Sequence, residues 1–88
     1  MDIEQYADII GSDIVITRYA NQDGRYTASF EYCEVMDDGV LISAYGDSYT
    51  ALGAINDYTE KISKKRIVFN AMGENRVEYV VPNLEETK

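Results

Sequence analysis

Residues 25–35 read RYTASFEYCEV, and along them apolar and polar side chains alternate. Tyr26, Ala28, Phe30 and Tyr32 point one way; Arg25, Thr27, Ser29, Glu31 and Cys33 point the other. A strand sends successive side chains to opposite faces, so this period of two predicts one buried and one wet face. Both flanks predict hairpins. Upstream, NQDG at 21–24 carries an Asp-Gly turn signal and joins the β-branched run DIVITRYA at 13–20, a first strand. Downstream, MDDG at 36–39 repeats the signal and leads into VLISAYG at 40–46, the third strand of a meander.

Beyond residue 46 the period changes. In DSYTALGAINDYTEKISKK (47–65), Leu52, Ile55, Tyr58 or Thr59, and Ile62 recur at helical spacing behind a cap at Asp47 or Ser48. Ala51, Gly53 and Ala54 are small enough to let the helix lie close to a sheet. Lys61, Lys64, Lys65 and Arg66 gather at its end, where the helix dipole favours cations. RIVFNA (66–71) reads as a fourth strand, MGEN as a turn and RVEYVVP (76–82) as a fifth strand, whose exposed edge would allow pairing with a second copy. At the N-terminus, residues 1–11, Ile3, Tyr6 and Ile9 or Ile10 have the spacing of a short helix ending near Gly11. The tail NLEETK, 83–88, is expected to fray. The order β-β-β-α-β-β predicts an α+β domain spanning 1–88: one antiparallel sheet of about five strands with one helix packed on one face.

Composition narrows the function. The chain has no histidine, which removes the commonest general base and zinc ligand together. MDDGVLISAYGD lacks the alternating ligand spacing of a calcium loop, so neither a metal nor another cofactor is expected. Cys33 is the only cysteine, and it sits between Glu31 and Glu34 on the expected wet face, where like charge disfavours a thiolate. No enzyme is expected. The opening MDIEQYADII is acidic where a secretory signal would be basic, and no apolar run reaches the roughly 18 residues of a membrane span. A reducing cytoplasm is the expected setting.

Sixteen acids against eight bases give a net charge of −8. Nucleic acids and anionic membranes are held through Lys and Arg, so neither is an expected direct partner; a protein with a basic groove is. The charge is also segregated. From Tyr26 to Glu60 there are seven acids, Glu31, Glu34, Asp37, Asp38, Asp47, Asp57 and Glu60, and no base. Alternate strand residues are about 6.6 Å apart, the order of the spacing between phosphates, so such acids could imitate a nucleic-acid backbone. Tyr32, Tyr45 and Tyr49 would add interface anchors, while Tyr26 and Tyr58 belong in the core. Each acid also has a local explanation. Asp37 and Asp38 suit an Asp-Gly turn, Asp47 a helix cap, and Glu60 an i,i+4 pair with Lys64.

The span from Ile14 to about Ile62 resembles the HicB-like antitoxin domain. IVITRYANQDGRYTASFEY gives the opening strand and hairpin, VLISAYGD the third strand with its Gly-Asp, and SYTALGAINDYTEKI the Ala-containing helix. The resemblance covers a little over half the chain and rests on order, turns and caps. It implies neutralisation of a small basic RNA-cleaving toxin. The chain departs from the pattern at the first helical turn, where Tyr49 and Thr50 replace a carboxylate pair. It departs again after the helix, where a β-hairpin stands in place of a DNA-binding segment. In size and charge the chain is also similar to phage anti-CRISPR inhibitors, a likeness of kind without a defining motif. The expectation is a non-catalytic inhibitor of a nuclease or other nucleic-acid-handling protein, with an antitoxin and a phage structural or scaffolding protein as the alternatives.

Overall fold

The computed structural model describes all 88 residues. Helix α1 spans Ile3–Ile10 and is closed at both ends by local chemistry. The Asp2 carboxylate accepts from the Gln5 N–H, the Gln5 amide oxygen accepts from the Asp2 N–H, and Gly11 takes the left-handed conformation past the last turn. Its buried side is Ile3, Tyr6 and Ala7, the expected helical spacing. Strand β1, Ile14–Tyr19, then pairs antiparallel with β2, Arg25–Phe30, from Ile14↔Phe30 to Tyr19↔Arg25. Their connection is longer than a tight turn. A 3-10 turn at Ala20–Gln22 precedes Asp23 and Gly24, both at positive φ.

The expected second strand does not continue to Val35. It breaks at Glu31–Tyr32, where Tyr32 has φ +56°, and resumes as β3, Cys33–Asp37. The return strand breaks opposite, into β4 (Val40–Ile42) and β5 (Gly46–Ser48). Asp37↔Val40 closes a two-residue hairpin in which Asp38 and Gly39 both have positive φ, the turn that Asp-Gly predicts. From Ala28↔Gly46 to Val35↔Ile42, seven steps on the outgoing strand face only four on the return. That surplus turns the second half of the hairpin away from the first. The result is two sheets in place of the expected one: a three-stranded sheet in the order β1-β2-β5, and a four-stranded sheet in the order β4-β3-β6-β7. Strands β6 (Arg66–Phe69) and β7 (Val77–Val80) supply the second sheet, every pairing being antiparallel, so the class is α+β.

Helix α2, Ala51–Ile62, packs on the inner face of the three-stranded sheet. Its cap is Thr50, whose Oγ1 accepts from the Gly53 N–H at 2.9 Å; the expected caps, Asp47 and Ser48, lie in β5. Ala54 is buried with Ile55, Tyr58, Thr59 and Ile62, whereas Leu52, expected on the apolar stripe, is exposed. Gly46 lets strand and helix meet. A Cβ there would overlap the Ala54 carbonyl and stand 2.5 Å from the Tyr58 nitrogen. Both helices and both sheets contribute to one core in which Phe30 meets Tyr58 edge-on and Phe69 at a tilt, ring centroids 5.8 Å apart in each case.

The tail does not fray. Leu84 and Thr87 are buried, and Thr87 exchanges two hydrogen bonds with the Asn56 side chain, at 2.8 and 3.2 Å. The Ser63 hydroxyl accepts from the Leu84 N–H, and the Met1 carbonyl accepts from the Glu85 N–H. A hydrogen-bonded, partly apolar segment is held, whatever its composition. No helix is long and apolar enough to cross a membrane.

Candidate functional site

The seven acids of residues 31–60 fall into two populations. Asp37, Asp47 and Asp57 are taken up by bases from outside that window. Arg25 Nε donates to Asp47 at 2.9 Å, and Lys61 Nζ donates to Asp57 at 2.9 Å and to the Tyr45 carbonyl at 3.0 Å. Asp57 also accepts from the Asp47 N–H at 2.9 Å, so β2, β5 and α2 are tied by one chain of charge-assisted bonds. The Arg25 hydrogen bond holds the Asp47 carboxyl below its ordinary range. For Asp57, burial pushes the carboxyl up, but Lys61 and the Asp47 N–H outweigh it and hold it low. Asp37 pairs with Lys65 at 3.4 Å. Tyr49 and Tyr45, both exposed, carry the same cations over their rings, Arg25 at 4.4 Å and Lys61 at 6.0 Å.

Glu31, Glu34, Asp38 and Glu60 make no ion pair. Glu60 does not meet Lys64, because α2 ends at Ile62 and Lys64 turns off at φ +64°. Glu60 and Asp38 stand apart, Asp38 at the hairpin tip. Glu31 and Glu34 join acids that the reading by sequence window left out. Three adjoining hollows pass from the helix side of the β1–β2 sheet to its other face. One, about 230 Å³, lies under β1 and is bordered by Glu4, Asp8 and Asp13. The next, also about 230 Å³, shares Ser12 and Asp13 with it and adds Glu31 and Tyr32. The third, about 540 Å³, shares Glu31 and Tyr32 and adds Glu34 and Cys33. Glu4, Asp8, Asp13, Glu31 and Glu34 thus form a band with no Lys or Arg bordering any of the hollows and no ion pair of its own. Residues 1–17 contain four acids and no base, so the same test of base-free runs would have found these positions in the sequence.

Asp8 stands where it works against the fold, whereas Glu4 lies in the first turn of α1, which favours an acid. Glu4 and Asp8 are an i,i+4 like-charge pair, which costs a helix about 0.2–0.5 kcal/mol. Asp8 also lies in the last turn of α1, which holds no base and whose dipole favours cations. Tyr32, 75% exposed, rises beside the band at the break between β2 and β3. It was expected in line with Phe30 on the buried face; the positive φ throws it out and reverses the alternation behind it. Cys33, expected on the wet face, therefore packs against the core. Burial pushes its thiol up to about 11, with Glu34 adding to the rise, so it is a protonated thiol at neutral pH and a poor nucleophile. The same break ends the regular row of strand acids, since Glu31 and β3 no longer share one strand. No three carboxylate or thiol side chains come close enough together to hold a metal ion.

Comparison with protein-family models, curated proteins and solved structures finds no match to this chain.

Proposed function

We propose that this protein is a non-catalytic inhibitor that binds a protein with a basic, nucleic-acid-handling surface and blocks it by occupying the place of the nucleic-acid backbone. An anti-CRISPR or similar anti-defence protein, encoded by a phage or mobile element and acting in the host cytoplasm, is the concrete form of this reading. The observation that carries it is the band of Glu4, Asp8, Asp13, Glu31 and Glu34, left without bases while Arg25, Lys61 and Lys65 pair elsewhere. Unpaired charge at a cost to α1 suits a surface that a partner neutralises. Such a surface steers association and makes it sensitive to salt. Tyr32 supplies an amphipathic anchor at its centre.

A HicB-like antitoxin is the second reading, supported by the order of β1, the hairpin and α2 along Ile14 to Ile62. It keeps the acidic contact and changes the partner to a small basic RNA-cleaving toxin. The third, a phage structural or scaffolding protein, gives the charge no binding role. Pull-down from host lysate at low and high salt separates them. The wild type should recover a nuclease or a toxin at low salt only. A variant with Glu4, Asp8, Asp13 and Glu31 reversed to Lys should recover neither. Equal recovery by both proteins would remove the band from the contact.

A further inference from the structure

Strand β1 is an edge, and it is the least protected edge in the molecule. The other edge strands, β4, β5 and β7, are three, three and four residues long, whereas β1 has six. Its sequence IVITRY contains no proline and no lysine, and all six residues pair with β2 without a bulge. Short strands, proline, charged side chains and bulges are the usual means of keeping an edge from pairing with other chains, and of these β1 has only Arg18. Five of its six side chains are exposed, including Ile16 at 43%.

The hollow beneath this edge has an apolar floor of Ala7, Ile14, Ile16 and Ile55, and Glu4, Asp8 and Asp13 along its border. We propose that β1 takes up an extended, basic segment of the protein partner as an added strand. Apolar side chains at alternate positions of that segment fill the hollow, and Lys or Arg side chains on the same face at its two ends meet the carboxylates along the border. Main-chain hydrogen bonds to an open edge provide affinity, and the side-chain pockets beside it provide selectivity. Charge decides between occupants. A second copy would bring the same three carboxylates toward the seam and only Arg18 to offset them, whereas a basic segment meets three attractive charges against the one like charge of Arg18. The proposal rests on the reading of the acidic band as the partner-binding surface and specifies how that surface is engaged.

The probe is an acetylated, amidated heptapeptide Lys-Thr-Val-Thr-Val-Thr-Lys, which puts both lysines and both valines on one strand face, with a glutamine-for-lysine version as control. Binding is followed by fluorescence anisotropy and by amide hydrogen exchange. The lysine peptide should slow exchange along residues 14–19 and bind at least tenfold more tightly than the glutamine peptide. Ile16→Glu adds a negative charge yet places it in the apolar floor, so it should weaken binding more than tenfold. Tighter binding to Ile16→Glu, or binding without protection of β1, would mean attraction by charge alone and would overturn strand addition while leaving the acidic band as a contact. Equal, β1-protecting binding of both peptides would keep strand addition and remove the role of the acids. Failure of both peptides to bind would overturn the proposal. So would a wild-type dimer in sedimentation equilibrium that Ile16→Glu dissociates, because it would make a second copy the occupant.

Discussion

The base-free band and the ion-paired ridge are both rich in carboxylates, and they use them in opposite ways. On the ridge, Asp47 and Asp57 hold Arg25 and Lys61 at 2.9 Å, and the Asp47 N–H, donating to Asp57, joins the sheet to the helix. In the band, Glu4, Asp8, Asp13, Glu31 and Glu34 hold nothing. The first set is attached to the fold and the second to the surroundings. Counting acids along the chain merges the two, because pairing depends on which bases the topology returns. Arg25 and Asp47 are 22 residues apart, and Lys65 and Asp37 are 28.

The largest effect that would sharpen this contrast is on binding. Reversing Glu4, Asp8, Asp13 and Glu31 to Lys should cut capture of a basic partner at low salt by about two orders of magnitude, the range that electrostatic steering spans. Thermal melting of the same variant should show a stability within about 0.5 kcal/mol of the wild type, since the reversals exchange one i,i+4 like-charge pair in α1 for another, and what the last turn gains at Asp8 the first turn loses at Glu4. A large loss of stability would erase the distinction between the regions. The ridge should respond the other way. Asp57→Ala strands the Asp47 N–H and frees Lys61, and should cost about 1–3 kcal/mol in urea unfolding. Binding through the band should be unchanged by it once the folded fraction is allowed for.

Acid should probe the ridge next. Asp47 and Asp57 have depressed folded-state values, so their contribution is present above the unfolded value, about 3.9, and is lost as pH falls through the folded values. The urea midpoint of the wild type should therefore fall below about pH 4, and that of Asp57→Ala should fall less. The smallest effect should be Tyr32→Gly. Glycine accepts the left-handed backbone at φ +56° without the strain an L side chain carries there, so stability should rise by about 1 kcal/mol. Partner capture should weaken as the ring is lost from the band, and a variant that gains stability with undiminished capture would exclude Tyr32 as an anchor.

Much of the architecture was legible in the sequence for local reasons. The Asp38-Gly39 hairpin, the helix closed by Gly11, the run of α2 and the strands at Ile14, Arg66 and Val77 each follow from residues close together in the chain. The division into two sheets was not. Tyr is a strand former, and nothing in EYC announces a left-handed aromatic; the break exists because seven steps must be accommodated against four. The docked tail was hidden for a similar reason. NLEETK looks solvated until Asn56, 31 residues upstream, offers its amide to Thr87. Of the proposed surface, Glu31, Glu34 and Tyr32 lie within the base-free run 26–60, whereas Glu4, Asp8 and Asp13 belong to a second base-free run, 1–17, that the fold brings beside it. Asp37, Asp47 and Asp57 were counted as free because their bases are distant in sequence.

Gly46 sets a limit on how far this chain can vary. Every other amino acid begins with the carbon that the Ala54 carbonyl and the Tyr58 nitrogen exclude, and both are backbone, which cannot rotate aside. A neutral drift of mutations could exchange most surface acids for one another, but a step at 46 would lift α2 from the sheet and take the Arg25–Asp47–Asp57–Lys61 bonds with it. A randomised library selected for folding should therefore return glycine at 46 in nearly every survivor, while the residues of the acidic band scatter freely until selection for binding is added.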